Sequence, residues 1–194
     1  MQSNHQSAAG LANESGLVGC NLMDHAEKHS WALVPDPIFP YRGPQSTSGI
    51  EILRDGPFRK DRAAFRTALR NDGWRNVNGA PYGEGALSSA AVGGTLVGLI
   101  DQQGLIGEDL FNAVHRIGIR QFALQSVVEI LPNPSNRITL SSEKDGLGLP
   151  RPEIHFRLDK YSRDGIAAAA RLHRDIFRAL RCDQMECGIH LQDD

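Results

Sequence analysis

The sequence predicts an α+β fold, in which an antiparallel sheet carries helices packed on one of its faces. Two observations predict this class. Three strand-like runs, residues 122–131, 137–140 and 154–158, lie close together in the last third of the chain. They are followed by one long segment, residues 162–180, whose apolar side chains recur at helical spacing. Strands grouped together and then a helix that covers them are typical of α+β domains.

The three strand-like runs differ in pattern. Residues 122–131 form the longest run of β-prone side chains, and Pro132 ends it. The turn at 132–136 leads to residues 137–140, so we expect the first two strands to pair as a hairpin. Residues 154–158 alternate between apolar and polar side chains, which indicates a third strand with one buried face.

The C-terminal helix has a recognisable start and a recognisable buried side. Ser162 is predicted to cap it, and Asp164 is expected in the first turn, where a carboxylate interacts favourably with the helix dipole. The apolar residues of the segment form one stripe, which we expect to pack on the sheet. That stripe consists of Ile166, Ala169, Ala170, Ile176, Phe177 and Leu180.

Earlier segments give weaker signals. Residues 31–34 are short, apolar and stopped by Pro35, which indicates a strand. Residues 59–70 fit both a helical face and a strand alternation, so both stay open. Residues 105–116 carry apolar side chains at helical spacing and predict a short helix. Residues 71–87 hold four glycines and a proline and predict a loop.

The domain organisation follows from these elements. Residues 1–15 are small and polar and are expected to form a loose arm, residues 16–181 to form the folded region, and residues 182–194 to form a disordered tail. With 194 residues, the chain has the length of one domain or of part of a larger one.

Composition excludes several classes of protein. The 40% hydrophobic content is enough for a core and excludes wholesale disorder. Lys and Arg number 21 against 23 Asp and Glu, without a strong basic cluster, so no nucleic-acid partner is predicted. No apolar run approaches the ~20 residues of a membrane span. The N-terminus lacks the pattern of a signal peptide, and the compartment is not determined.

The densest group of ionisable residues is Asp24, His25, Glu27 and His29, which we place in a turn. A carboxylate beside a histidine can act as an acid–base pair, but adjacent residues of a strand point to opposite faces. The donor types also suit a metal ion, although the spacing is not that of a helical site. A solvated cluster without catalytic function is the alternative, and no catalytic residue is assigned from the pattern.

The spacing of the cysteines and of the remaining histidines does not predict a specific site. Cys182, Cys187 and His190, with His173 as a fourth donor, depart from the C-x2-C pattern of zinc sites, so no metal site is predicted. A surface or packing role is expected for His173, and equally for His115 and His155. The chain contains neither a G-x-G-x-x-G nucleotide fingerprint nor a nucleophile elbow.

Two segments resemble the glucose–methanol–choline (GMC) family of flavin-dependent oxidoreductases. Residues 12–25 contain V-G-C-N-L-M-D-H, similar to the family element V-G-x-N-L-x-D-H. Residues 129–156 contain P-N-P-S-N-R-I-T-L-S, similar to P-N-P-x-N-R-[IV]-T-L-S, where the carboxy-terminal part of the family begins. The resemblance extends over about residues 10–180.

The resemblance implies a fold and a chemistry. Family members pair an FAD-binding domain with a substrate domain, whose antiparallel sheet has helices on one face and the flavin over the other. Residues 16–181 resemble this substrate domain, and the substrate implied is an alcohol or a sugar oxidised at its CH–OH group. Asn21, Asp24 and His25 match the first motif and are implied to lie near the FAD, and Glu27 to line the substrate pocket. The alternative is that this turn only ties two domains together.

The chain also departs from the family pattern, because it starts after the FAD fingerprint and stops before the segment that carries the catalytic histidine. The resemblance therefore implies an incomplete substrate domain, which by itself is not expected to retain FAD or to be active. Its expected partner is the missing FAD-domain segment or chain. The alternative is a non-enzymatic remnant or split-enzyme subunit that serves as a binding module for a partner flavin domain.

Overall fold

The structure is a computed structural model that describes residues 10–40, 42–44, 46, 48–71, 99–101 and 103–188. The strands in these residues are β1 (Ala26–Leu33), β2 (Ser48–Ile50), β3 (Phe65–Arg70), β4 (Gln121–Val128), β5 (Arg137–Lys144), β6 (Pro150–His155) and β7 (Gln184–Glu186). The main helices are α1 (Gly107–Arg116) and α2 (Lys160–Ala179), with 3-10 turns at Pro57–Lys60 and Gly118–Arg120. None of the helices in the described ranges is long and apolar enough to cross a membrane.

The strands form two antiparallel sheets. The larger has five strands in the order β2-β3-β4-β1-β7, and the smaller consists of β5 and β6. In the larger sheet, β4 lies between β3 and β1, with Val128 opposite both Phe65 and Ala26. The predicted α+β class with an antiparallel sheet is confirmed.

The predicted hairpin between residues 122–131 and 137–140 is wrong. Both edges of β4 are already occupied, by β1 on one side and β3 on the other. The turn at 132–136 instead leads out of the large sheet, and β5 pairs with β6. The strand predicted at residues 154–158 lies a few residues closer to the N-terminus, as β6 (Pro150–His155).

Two further predictions are corrected or resolved near the candidate site. The strand predicted at 31–34 begins at Ala26, so Glu27 and His29 lie on β1 and not in a turn. Residues 59–70 contain the end of a 3-10 turn and then β3, which selects the strand interpretation. The helix predicted at 105–116 is confirmed as α1. Apart from Asn71, the loop predicted at 71–87 lies outside the described residues.

Helix α2 covers one face of the large sheet, as the apolar stripe predicted. Its Ile166 and Ala169 pack with Phe65 and Val128 in one cluster, and its Phe177 packs with Leu124 in a second. The predicted cap is wrong, because the carboxylate of Asp159 accepts the backbone N–H of Ser162 at 2.6 Å. The helix therefore starts at Lys160 and its first turn contains no acidic residue, so the prediction for Asp164 is also wrong.

A buried chain of hydrogen bonds joins α2 to three strands. His173 is fully buried, and its Nε2 and Nδ1 lie 2.8 and 2.9 Å from the hydroxyls of Ser126 and Ser30. The Ser126 hydroxyl also lies 2.7 Å from that of Thr67. Burial lowers the pKa of His173 to about 3, with a smaller contribution from the positive charge of Lys28. The packing role expected of His173 is what the structure shows.

The segment predicted as a tail begins with ordered pairing. Within residues 182–194, Gln184–Glu186 form β7 and pair antiparallel with β1, for example Met185 with Ala32. The backbone N–H of Asp183 also donates to the carbonyl of Leu33 at 2.9 Å. Residues 189–194 and the first nine residues of the predicted arm lie outside the described residues.

Candidate functional site

The two faces of β1 carry different chemistry. Ala26, Ser30 and Ala32 lie on the face that α2 covers. Because side chains alternate along a strand, Glu27, His29, Trp31 and Leu33 lie on the opposite face. We call this opposite face of the five-stranded sheet the distal face. With the register of the neighbouring strands, its members are Glu27, His29, Trp31 and Leu33 of β1, Gln121, Ala123, Gln125 and Val127 of β4, and Arg66, Ala68 and Arg70 of β3.

Glu27 and His29 form a hydrogen-bonded pair at one end of the distal face. Nε2 of His29 lies 2.7 Å from Oε2 of Glu27. A carboxylate only accepts hydrogen bonds, so Nε2 of His29 carries the proton. Burial lowers the pKa of His29 more than the hydrogen bond and charge of Glu27 raise it, and the nearby charge of Arg70 lowers it further. The imidazole is therefore neutral near pH 7.

At the other end of the distal face, polar groups are buried without a partner. Within the part of the chain that the structure describes, Nε1 of Trp31 and both polar atoms of the Gln121 amide have no hydrogen bond. Gln121 is only 2% exposed. Trp31 lies opposite Ala123, which makes Gln121 its diagonal neighbour across the strand pair. A buried polar group left without a hydrogen bond costs about 1–3 kcal/mol, so these groups reduce the stability of this end of the sheet.

His25 lies next to the distal face and lines a cavity. The cavity has a volume of about 350 Å³, and Arg66 and Val127 of the distal face line it together with His25. The backbone N–H of His25 donates to the carboxylate of Asp24 at 2.7 Å, which fixes the turn into β1. His25 is thus the predicted site residue that the structure places in a cleft.

Asn21 lies in a loop that is bonded to the small sheet. The backbone N–H of Leu22 donates to the carbonyl of Asn136, and that of Ile138 to the carbonyl of Gly19, both at 2.7 Å. Asn21 itself has a positive φ of 56°, a left-handed conformation that asparagine tolerates better than most residues. These bonds fix the loop against the small sheet; whether the turn also ties two domains together, the alternative interpretation of the motif, stays a prediction.

The structure therefore distributes the predicted site residues over three places. Asn21 lies in the loop bonded to the small sheet, Asp24 and His25 lie in the turn before β1, and Glu27 lies on the distal face. The contacts of Glu27 are with His29 of the same strand. Cofactor binding by Asn21, Asp24 and His25, and substrate binding by Glu27, remain predictions.

The described residues contain no group of three or more side chains that could hold a metal ion. Of the zinc donors weighed, His173 has both ring nitrogens bonded to serine hydroxyls. Cys187 is buried, Cys182 is half-buried, and burial raises the pKa of both thiols. His190 lies outside the described residues.

Sequence reasoning missed most of the distal face. Trp31 was assigned to a strand, but Gln121, Gln125, Arg66 and Arg70 were not connected with it. The alternation of Glu27, His29 and Trp31 was the signal that could have shown a polar face. It was hidden because Lys28 and Ser30, which fall between these residues, are polar although they are buried.

The chain is similar to one protein of known activity along nearly its whole length. It is 32% identical over 187 residues to the fructose dehydrogenase large subunit of Gluconobacter japonicus, and the match covers 96% of this chain. The chain spans 31% of the length of that protein. No protein-family model matches the chain.

Proposed function

We propose that this chain is part of an FAD-dependent oxidoreductase that oxidises the CH–OH group of a sugar or an alcohol. We further propose that the distal face forms the substrate side of its active site. The observation that carries the proposal is the concentration of hydrogen-bonding side chains on the sheet face opposite α2. The similarity to a fructose dehydrogenase subunit and the two GMC-like segments support the same conclusion.

The residues of the distal face suit a hydroxylated ligand. A sugar presents hydroxyls that both donate and accept, and C–H faces that stack on aromatic rings. The half-buried Trp31 offers an aromatic ring, the half-buried amide of Gln125 offers donors and acceptors, and the exposed Glu27 offers acceptors only. Such groups, held at fixed spacing by strand pairing, can orient a substrate carbon.

His29 contributes a neutral imidazole to this face. Since its pKa is lowered, it remains uncharged at neutral pH, and its bond to Glu27 fixes the protonated nitrogen as Nε2. A neutral ring that donates to the Glu27 carboxylate holds that carboxylate in place without introducing a positive charge. We therefore propose that Glu27 binds the substrate and that His29 positions Glu27.

Among the described residues, those of the distal face are the ones suited to contact with FAD. The sequence contains no glycine-rich phosphate loop, so this chain would contact the cofactor through the sheet face and not through its phosphates. When bound, FAD would supply the hydride acceptor. The residues of this chain would bind and orient the alcohol and limit the access of water.

The proposal is tested on the protein as its own gene produces it. We would tag the native gene, purify its product with any bound chains, record the visible flavin absorbance, and add sugars and simple alcohols without oxygen. We expect a flavin, in the same chain or in a partner, that loses its oxidised absorbance with at least one sugar or alcohol. A product without flavin, or one whose flavin no alcohol reduces, would refute the proposal.

A pair of variants then tests the distal face. Glu27→Gln removes the charge of one acceptor, and we expect the sugar concentration needed for half-maximal flavin reduction to rise about tenfold, as for the loss of a charge-assisted hydrogen bond. Glu153→Gln, on exposed β6, is the matched control and should change it less than about twofold. Equal effects of the two variants would contradict the placement of the substrate.

A further inference from the structure

A charged cleft lies at the end of the large sheet, beside the distal face. It consists of two adjoining cavities, of about 350 and about 720 Å³, which share Arg54 and Arg59 as lining residues. His25 and Arg66 line the first cavity, and Glu51 lines the second. The cleft thus collects three guanidinium groups and one imidazole from four separate segments of the chain. Both cavities are wide open to solvent, so a small ligand bound there would stay partly exposed.

The carboxylates of the cleft are already engaged. Glu129 accepts from Nη2 of Arg59 at 2.8 Å and from the hydroxyl of Tyr161 at 3.3 Å. Glu51 accepts from Nε of Arg66 through one oxygen and from Arg54 through the other. The third carboxylate, Asp55, is 90% exposed, and its closest approach to Arg59 is 3.7 Å. The acidic groups therefore neutralise Arg59 and Arg66 more closely than they neutralise Arg54.

Arg54 and His25 have the weakest pairing in the cleft. The bond from Arg54 to Glu51 is long, at 3.4 Å, and 69% of the Arg54 side chain is exposed. Among the described residues, the His25 ring makes no hydrogen bond, although its backbone N–H does. Exposed ion pairs of this kind contribute only about 0–1 kcal/mol, so an incoming anion can compete for the guanidinium at low cost.

We propose that this cleft binds a small ligand through an oxyanion, a phosphate group or a carboxylate, which Arg54 holds with His25 beside it. A planar guanidinium presents two parallel N–H donors that match the oxygens of either anion. The apolar side chain of Val127, which lines the same cavity from the distal face, contacts the uncharged part of the ligand. The cleft binds such a ligand whether or not the chain takes part in an oxidation.

The probes are inorganic phosphate and sodium gluconate, titrated into the chain at matched ionic strength in a calorimeter. The first represents phosphate esters and the second represents sugar acids, so the tighter of the two identifies the class of ligand. Arg54→Gln should weaken binding of that anion by about tenfold or more, as expected for a charge-assisted hydrogen bond. His25→Gln should weaken it by about threefold.

Arg151→Gln is the matched control, because Arg151 is an exposed arginine of β6 on the small sheet. It removes the same charge and should leave the affinity within about twofold of the parent chain. The unfolding midpoint of each variant shows that the fold is retained, and His25→Gln provides a second measurement if Arg54→Gln does not fold. The proposal is overturned if neither anion binds, or if Arg54→Gln and Arg151→Gln bind equally. Anion binding by a protein that contains no flavin would support the anion site while refuting the proposed oxidation, so the two proposals can fail independently.

Discussion

The buried His173 makes the stability of the fold sensitive to acid. Its pKa is lowered from 6.5 to about 3, so the folded chain excludes a proton that the unfolded chain binds. A group with a lowered folded pKa of this kind gives its full stability above pH 6.5 and loses it progressively as the pH falls toward 3. In the neutral ring one nitrogen donates to a serine hydroxyl and the other accepts from one, so a second ring proton would displace the hydroxyl hydrogen that now points at it.

The magnitude follows from the shift. The difference between 6.5 and about 3 is about 3.5 pKa units, and at about 1.4 kcal/mol per unit the ceiling is about 5 kcal/mol. A domain of this size has a free energy of unfolding of about 5–15 kcal/mol, so protonation of this one buried ring would remove a large share of that free energy. His29 also has a lowered pKa and acts in the same direction, with a smaller effect because it is partly exposed.

The assay is urea unfolding of the chain from about pH 7 to about pH 4, with the free energy of unfolding plotted against pH. His173→Gln removes the titrating ring, so we expect lower stability near pH 7 and a much shallower decline below about pH 6. His155→Gln is the control, because His155 is exposed on β6, where it bonds Thr139. If His173→Gln retained the parent slope, the buried network would not be the source of the acid sensitivity.

Two predictions concern α2. Gly165→Ala should destabilise the chain by about 1–3 kcal/mol, although alanine is preferred to glycine in helices. The new methyl group would lie 2.8 Å from Cβ of Ala63 and 2.9 Å from Cγ1 of Val128, which is too close. An unfolding midpoint above that of the parent chain would contradict this packing. Asp159→Ala removes the cap and should cost about 1 kcal/mol in urea unfolding. Asp164→Ala, the matched change inside the helix, should cost less than about 0.5 kcal/mol, and equal losses would show that the cap is not Asp159.

Sequence predicted the elements of the fold better than their pairing. The stripe of α2 was readable because helical periodicity is a local property, and Phe177 lies in the core as that stripe requires. The hairpin prediction failed because it relied on proximity in sequence. The actual neighbours of β4 are residues 26–33 and 65–70, and such non-local pairing leaves no mark in a short window.

The candidate site was only partly visible for a chemical reason. Lys28 and Ser30 are buried under α2, where the Ser30 hydroxyl bonds His173. A pattern that counts polar side chains as exposed therefore reads residues 26–30 as a turn and not as a strand. His25 was identified as a candidate from its motif. Its neighbours in the cavity, Arg54 and Arg59, come from the irregular segment before β3, and no sequence periodicity relates that segment to His25.

The division of β1 between two faces limits how this segment can evolve. Substitutions at even positions of the strand act on the packing beneath α2, and substitutions at odd positions act on the distal face. An insertion or deletion of a single residue would exchange the two sets at once, moving the charge of Glu27 beneath α2 and the hydroxyl of Ser30 away from His173. Changes in length should therefore be confined to the loops on either side of β1, while the chemistry of the distal face changes one alternate residue at a time.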